Sequence, residues 1–454
     1  MNIHTRIVSW VKVVFFTQHT IEIMRKFAYM ANEHGHTTKG HLNLTRESDL
    51  TIEVVILLIF GIFMLIFGLL LFQIHTGALP YAPDSTYGLF ILLIAFQIVT
   101  MGKTPFGDLK RSWLLILIGI IVAILGMAAA FVPGYLSEYI RLIVGGVLFL
   151  GGAALFLQLF VREDKARTWR HVSGVLQHLI LACGLVYILS CICGLITLLP
   201  GITTDNQTAV ILILFALCLF YLSWCIQKVA REYPSKKQDA EHESAESAAQ
   251  KTKGIWLVLK ESSISLSLGV LLLVATLLTL LGLVLIPVNL GTLPFSQDGL
   301  LGMLLVVFAI QMMALGETPV GAYKRSWLMV IFGMTFATLG IISCIVPGLL
   351  TSSLQILLGL LNIIGGVVLL IGRYYPVLQA MRNPPDNPTE QPPILKKMNS
   401  TQTILNFVSI AFGISMLIPG IMPGLLNAVI IVINGLLLFV LAGFIRKIET
   451  LYPV

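Results

Sequence analysis

Charge is what this chain has least of. Asp, Glu, Lys and Arg make up 11% of its 454 residues and hydrophobic residues 57%, where a soluble domain carries about 25% charged residues. Three soluble domains of about 150 residues, the ordinary expectation for this length, are thereby excluded. No segment alternates apolar and polar residues over the ~10-residue span of a barrel strand, so a β-barrel is excluded too. The six cysteines all fall inside apolar runs, which excludes a secreted disulfide scaffold. A glycine-rich phosphate loop, a zinc-binding HExxH, a nucleophile elbow and paired catalytic carboxylates are all missing. The sequence therefore implies no enzyme, no catalytic residue, no cofactor and no metal. Histidines 34, 36 and 41 have suggestive spacing, but nothing beside them completes a tetrahedral set.

Long apolar runs are abundant instead. Twelve can be counted, at residues 51–72, 87–102, 113–132, 140–161, 172–199 and 209–229, then 264–284, 300–315, 327–346, 354–374, 401–418 and 428–444. About 20 apolar residues cross a bilayer as a helix, and backbone groups in lipid must bond within their own segment. The expected fold is all-α: a polytopic membrane protein of about 12 transmembrane helices, arranged as two parallel six-helix repeats.

Orientation follows from the cations. With the N-terminus in the cytoplasm, every Lys and Arg except Arg141 falls at a cytoplasmic end, while the outer turns carry Asp84, Glu138, Asp205 and Asp298. The positive-inside rule then places both termini in the cytoplasm. The net charge of +7 reflects this topology; its expected partners are the lipid bilayer and anionic headgroups on the cytoplasmic side, not nucleic acid. Each outer turn holds proline or Pro-Gly (Pro80, Pro133-Gly134, Pro200-Gly201, Pro294, Pro347-Gly348, Pro419-Gly420), residues that stop a helix and close a turn. Tyr81, Tyr87, Tyr135 and Tyr139 outside, with Trp113, Trp169, Trp327 and Tyr374 inside, suit interfacial belts. The chain reads as six helical hairpins.

A shift of 214 residues lays the chain on itself. Pro80, Asp84 and Gln97 fall on Pro294, Asp298 and Gln311. The segment GKTPFGDLKRSW at 102–113 meets GETPVGAYKRSW at 316–327 with eight identities in twelve positions. After the fourth helix the offset becomes 219, pairing Pro200-Gly201 with Pro419-Gly420. The domains are thus a segment 1–37 outside the repeat, repeat 1 at 38–234, a charged cytoplasmic linker at 235–251 and repeat 2 at 252–454. An even number of crossings per copy makes the copies parallel, related by a pseudo-two-fold along the membrane normal. In 1–37, Ile3, Ile7, Trp10, Val14, Ile21 and Met24 share one helical face, as in an amphipathic helix lying on the inner leaflet. Lys12 interrupts a short apolar run with no small-residue cleavage site after it, so a signal peptide is not expected. The loop at 382–397 holds five prolines and is expected to be extended.

No Asp, Glu, Lys or Arg stands at a helix centre, which argues against a proton pump or carboxylate-driven antiporter. Mid-helix polar residues are Gln97, Gln311, Asn362, Asn406 and Asn434, and interhelical hydrogen bonds account for such residues. The cysteines read as helix-packing thiols. The sharpest candidate site is the Gly/Pro-interrupted pair Lys103-Thr104-Pro105 and Glu317-Thr318-Pro319, with Gln97 and Gln311 beside it. Interrupted segments at corresponding positions of two halves point to a site at the repeat interface. Lys103 and Glu317 carry opposite charges at equivalent positions and could pair near the axis. The bland alternative is a helix stop and turn, with Lys110-Arg111 and Lys324-Arg325 as topology anchors.

The pattern W-x5-G-x6-G, a proline, then GG-x4-GG across 113–160, largely repeated at 327–371, resembles the HdeD-like acid-resistance membrane proteins, a bacterial family of six-helix units. That resemblance implies a bacterial inner-membrane location and a stress role, with the unit here doubled; it implies no catalytic residues. Two functions are expected: a non-enzymatic structural or stress-response membrane protein, or a small-solute or ion transporter or channel with its site at the interface of the repeats. Water-accessible polar helix faces would favour transport, and a continuous dry seam the scaffold. Reporter tags placed at Asp84 and Asp298 are expected to land together on the outer face; tags on opposite faces would break the parallel scheme.

Overall fold

The computed structural model describes residues 47–101, 103–104, 107–108, 112–161, 174–232, 265–318, 321–322, 325–382, 393–418 and 420–451. The segment 1–37, the three histidines at 34, 36 and 41, and the linker 235–251 lie outside them. Residues 49–325 and 329–454 belong to one unit, which holds both copies. The described part of the other unit is residues 47–48 with 326–328, joined by an antiparallel bridge between Glu47 and Ser326.

Twelve helices among the described residues are long and apolar enough to cross a membrane, so this is a multi-pass integral membrane protein. In the first copy they are α1 (Ile52–His75), α2 (Pro83–Met101), α3 (Trp113–Phe131), α4 (Ser137–Val161), α5 (Val175–Leu198) and α6 (Asp205–Glu232). In the second they are α7 (Leu266–Asn289), α8 (Gln297–Leu315), α9 (Trp327–Ile345), α10 (Thr351–Arg382), α11 (Pro393–Leu417) and α12 (Gly424–Leu451). Local signals set their ends. Thr51, Ser112, Ser265 and Ser296 each accept an N–H of the first turn through the side-chain oxygen, the N-cap role. All six turns between odd and even helices hold a glycine at positive φ, Gly77, Gly134, Gly201, Gly291, Gly348 and Gly420. A side chain would be strained in that region.

Two boundaries differ from the sequence reading. α10 continues past 374 to Arg382, and α11 opens at Pro393 rather than near 401. The prolines do not keep the whole of 382–397 extended, because proline is well suited to the first helical position, where its missing N–H is no loss.

Helix pairing also departs from six hairpins. The broadest contacts are α1 with α6, α2 with α3 and α4 with α5, matched by α7 with α12 and α10 with α11. Glycine explains the choice of partner. A methyl group on Gly126 would meet the Gly88 carbonyl oxygen at 2.7 Å, and one on Gly340 would meet that of Gly302 at 2.6 Å. Gly152 faces the Tyr187 carbonyl on α5, and its counterpart Gly366 faces that of Asn406 on α11. So the two glycine sets of the α3–α4 hairpin turn to different neighbours, α2 and α5, and not to each other. Such close backbone approach is how helices associate where lipid removes the hydrophobic drive between them.

α2 and α8 are the innermost helices, with 83% and 78% of their apolar window buried. α8 touches α1, α2 and α3, while α7 touches α2 and α3, so the copies meet along a seam centred on α2 and α8. Two equivalent hydrogen bonds close it: Ala82 N–H donates to the Ile345 carbonyl at 3.0 Å, and Ser296 N–H to the Phe131 carbonyl at 2.9 Å. The 214-residue shift converts one bond into the other, as a pseudo-two-fold axis requires. Beside them the Ser85 and Ser296 hydroxyls lie 3.3 Å apart. Outward leucines and isoleucines such as Leu117, Leu150, Leu157 and Ile371 are exposed, as suits faces turned to lipid.

Gly126→Ala and Gly340→Ala are expected to lower the melting temperature in detergent, at a cost of ~1–3 kcal/mol each for overpacking against backbone. Gly146→Ala, where a methyl meets nothing within 4 Å, should melt no lower than the parent.

Candidate functional site

The middle of the repeat seam is apolar. On α2 the residues from Leu89 to Phe96 are apolar and buried, as are those from Leu300 to Val307 on α8, apart from the equally buried Gly302. Gln97 and Gln311 stand near the basic ends of these helices, each half-buried. Past them the TP elements form a pair of minimal hairpins: β1 (Lys103–Thr104) pairs antiparallel with β2 (Gly107–Asp108), and β3 (Glu317–Thr318) with β4 (Gly321–Ala322). Thr104 faces Gly107 and Thr318 faces Gly321; Pro105 and Pro319 lie outside the described residues. Gly316, at φ +70°, caps α8 and turns the chain into the second hairpin. The side chains of Lys103 and Glu317 are outside the described set, and with them the pairing expected of these two residues. Arg325 does more than anchor topology: it donates to the carbonyls of Met313 and Leu50, tying α8 to the start of α1.

Cavities lie instead within each copy. Both are partly open hollows among the first, second, fourth, fifth and sixth helices of their repeat, and neither is lined by any of the eight candidate residues of the TP pair and its glutamines. The first-copy cavity, about 250 Å³, runs from Phe63 and Phe90 toward the proline-turn end, where Tyr81, Arg141 and Asp205 line it. Burial, followed by the neighbouring Tyr87, pushes the Tyr81 phenol well above its usual range, so it is a neutral donor at any ordinary pH. The second-copy cavity, about 380 Å³, runs the other way, from Asn434 and Asn362 to Arg373 and Gln402 toward the basic end.

Arg141, the one cation away from the basic ends, is a structural residue. Its Nη1 donates to the Thr197 carbonyl at 3.0 Å and also to that of Leu198, capping α5, while Nη2 pairs with Glu138 at 2.8 Å. The equivalent residue in the second copy, Gln355, donates to the Met416 carbonyl at 2.8 Å, the counterpart of Thr197. A neutral side chain performs the same capping, so charge is not what this position needs. Asp84 and Asp298 are likewise joints. Asp84 accepts the Gly134 N–H at 2.8 Å, and Asp298 accepts the Thr351 hydroxyl.

The second-copy cavity is lined differently. Its polar wall comes from α10, α11 and α12: Asn362, Arg373, Gln402, Asn406, Ser409 and Asn434. All but Ser409 are apolar or aromatic at the equivalent positions of the first copy, namely Leu148, Leu159, Cys183, Tyr187 and Phe215. The fold is therefore built once without these groups. Asn362 Oδ1 accepts the Ser409 hydroxyl at 2.9 Å. Among the described residues nothing bonds the side-chain amides of Asn406 and Asn434, although Asn406 is only 9% exposed. Arg373 reaches the Asn399 carbonyl, the Gln402 side-chain oxygen and, at 3.2 Å, the Thr403 hydroxyl.

Sequence reasoning placed the three asparagines mid-helix but read them as packing, and it counted Arg373, near the end of the run at 354–374, among the cations of the cytoplasmic ends. The signal that could have found the cluster was in the alignment of the copies: polar on apolar at five positions of one bundle. The cysteines serve as packing thiols, with Cys193, Cys225 and Cys344 buried and Cys191 donating to the Phe149 carbonyl. Among the described residues no three His, Cys, Asp or Glu gather as a metal site. Protein-family models, curated proteins and solved structures provide no match to this chain.

Arg141→Gln is expected to keep the melting temperature close to the parent's, because Gln355 already makes the equivalent bond. Arg141→Leu, which strips the α5 carbonyls of their donor, should cost about 1–3 kcal/mol in the same measurement.

Proposed function

We propose that this is a non-enzymatic membrane protein that takes a small solute into the chamber of its second copy, held by a rigid seam between the copies. One observation carries the reading: five positions that line the second-copy cavity with polar side chains are apolar or aromatic in the first copy, whose smaller cavity has Leu148 in the place of Asn362. Polar side chains at membrane depth are unfavourable unless they have partners or a task, and the first copy supplies the comparison in the same fold. The transporter or channel class fits this chamber better than it fits the repeat interface, where an unbroken apolar contact supports a static, scaffold-like role. The cation distribution supports cytoplasmic basic ends, and the bacterial inner membrane is what the resemblance to the HdeD-like family implies. The likeness to the HdeD-like family rests on glycines that serve packing in both copies, and adds a stress setting without adding a site.

Cysteine labelling tests the chamber directly. In a variant lacking the six native cysteines, single cysteines at Asn406 and Asn434 are expected to react with a small water-soluble maleimide, and cysteines at Leu92 and Val306 in the seam to stay silent. Asn434→Phe, which copies Phe215, should block labelling at Asn406 and leave the melting temperature unchanged. Labelled seam positions beside an unreactive chamber would return the site to the repeat interface.

A further inference from the structure

Resting on the chamber as the binding site, we propose that its ligand is a small organic oxyanion, a carboxylate whose body has one hydrogen-bonding edge and one apolar face. Arg373 sets the charge. Its guanidinium donates to three neutral acceptors, on Asn399, Gln402 and Thr403; among the described residues no carboxylate pairs with it. A guanidinium carries five N–H donors in one plane and suits two-oxygen acceptors, so donors remain for a ligand. A cation whose partners are all neutral leaves its field in a partly exposed cavity uncancelled, which attracts an anion and repels a cation.

The edge follows from α11. Gln402 and Asn406 are one turn apart, about 6 Å along the helix, and both line the cavity. Asn406 and, from α12, Asn434 offer free amides deeper in, each with donors and acceptors. The opposite wall, from α7 and α8, is Leu277, Leu304, Phe308 and their apolar neighbours. A purely apolar tail would leave the amides unpaired, and a uniformly polar solute would desolvate against leucine. The volume of about 380 Å³ lies at the small end of the ~300–1,000 Å³ typical of ligand pockets, which suits one ring or a short chain. A lipid phosphate could present the same oxyanion to Arg373 with its tails outside the chamber.

The test uses the full chain in phosphatidylcholine nanodiscs, titrated calorimetrically with 4-hydroxycinnamate and with its neutral amide. The acid is expected to bind at least about tenfold more tightly than the amide, the worth of a charge-assisted hydrogen bond. Arg373→Leu, which installs the side chain of the equivalent Leu159, should fold with a melting temperature lowered about as much as by Arg141→Leu, because its three acceptors on α11 lose their donor, and should bind acid and amide alike; Arg373→Lys should keep part of the preference. Nanodiscs containing phosphatidylglycerol separate the sources: competition that disappears in Arg373→Leu assigns the oxyanion to a lipid headgroup, and absence of competition assigns it to a free solute. Equal affinities in the parent, or a preference that survives Arg373→Leu, overturn the anion assignment and leave the chamber standing. If neither compound binds while the chamber cysteines label, the anion assignment alone falls. With neither binding nor labelling, both readings fall.

Discussion

Two backbone amides that leave their own copy to find an acceptor hold this molecule in register. Ala82 donates across the seam to Ile345, and Ser296 makes the same bond in the other direction to Phe131. Each acceptor is a carbonyl in the last residue of a helix, a group without an intrahelical donor, so the bond satisfies a helix end and joins two repeats at once. It requires α2 and α8 to start in close contact with the ends of α9 and α3. That in turn requires small residues along the shared line. Gly88 against Gly126 and Gly302 against Gly340 meet the requirement within each copy, and Gly299 beside the Ala130 carbonyl and Ser85 meets it across the seam. The central pair is consequently apolar through its middle, from Leu89 to Phe96 and from Leu300 to Val307 apart from Gly302, as a helix surrounded by protein should be. A water-filled path at that line would have to break both reciprocal bonds.

The duplication makes the molecule its own control. Equivalent residues in the two copies share a backbone setting, so a position that keeps its chemistry in both is explained by the fold, and one that changes is free of it. By that measure the glycines, the turn prolines, the aspartates at the starts of α2 and α8, and the capping pair Arg141 and Gln355 are architecture. The asparagines and Arg373 are particular to the second copy. They occupy places where Leu148, Leu159, Cys183, Tyr187 and Phe215 fit equally well, and replacing two aromatic rings by carboxamides leaves space that side chains alone do not fill.

How much of this was legible beforehand divides along physical lines. The twelve crossings could be read because helix length is set by bilayer thickness, and the turns because glycine and proline act locally: all six turn glycines do take positive φ. Pairing could not be read in the same way. The glycines of 113–160 announce close contacts without saying with whom, and adjacency along the chain suggested α3 with α4, where the structure has α2 with α3 and α4 with α5. The TP elements carry too few residues for a strand period to show. Arg373 misled for another reason. A cation near the end of an apolar run counts as a topology anchor: Arg373 is the last residue but one of the run at 354–374, and the extension of α10 to Arg382 carries the helix on past it.

The two cavities also bear on what duplication in one chain permits. A pair of identical six-helix units would carry the same chamber at the same depth, because a two-fold along the membrane normal cannot exchange the two faces of a bilayer. Here equivalent helices enclose space toward the proline-turn end in the first copy and toward the basic end in the second. That difference is available only to copies free to change separately, and it comes from side chains, since the backbones pack through the same glycines. Rigidity along the seam and divergence within the bundles are then two aspects of one arrangement: the fixed α2–α8 contact lets each chamber change its lining without disturbing the other copy.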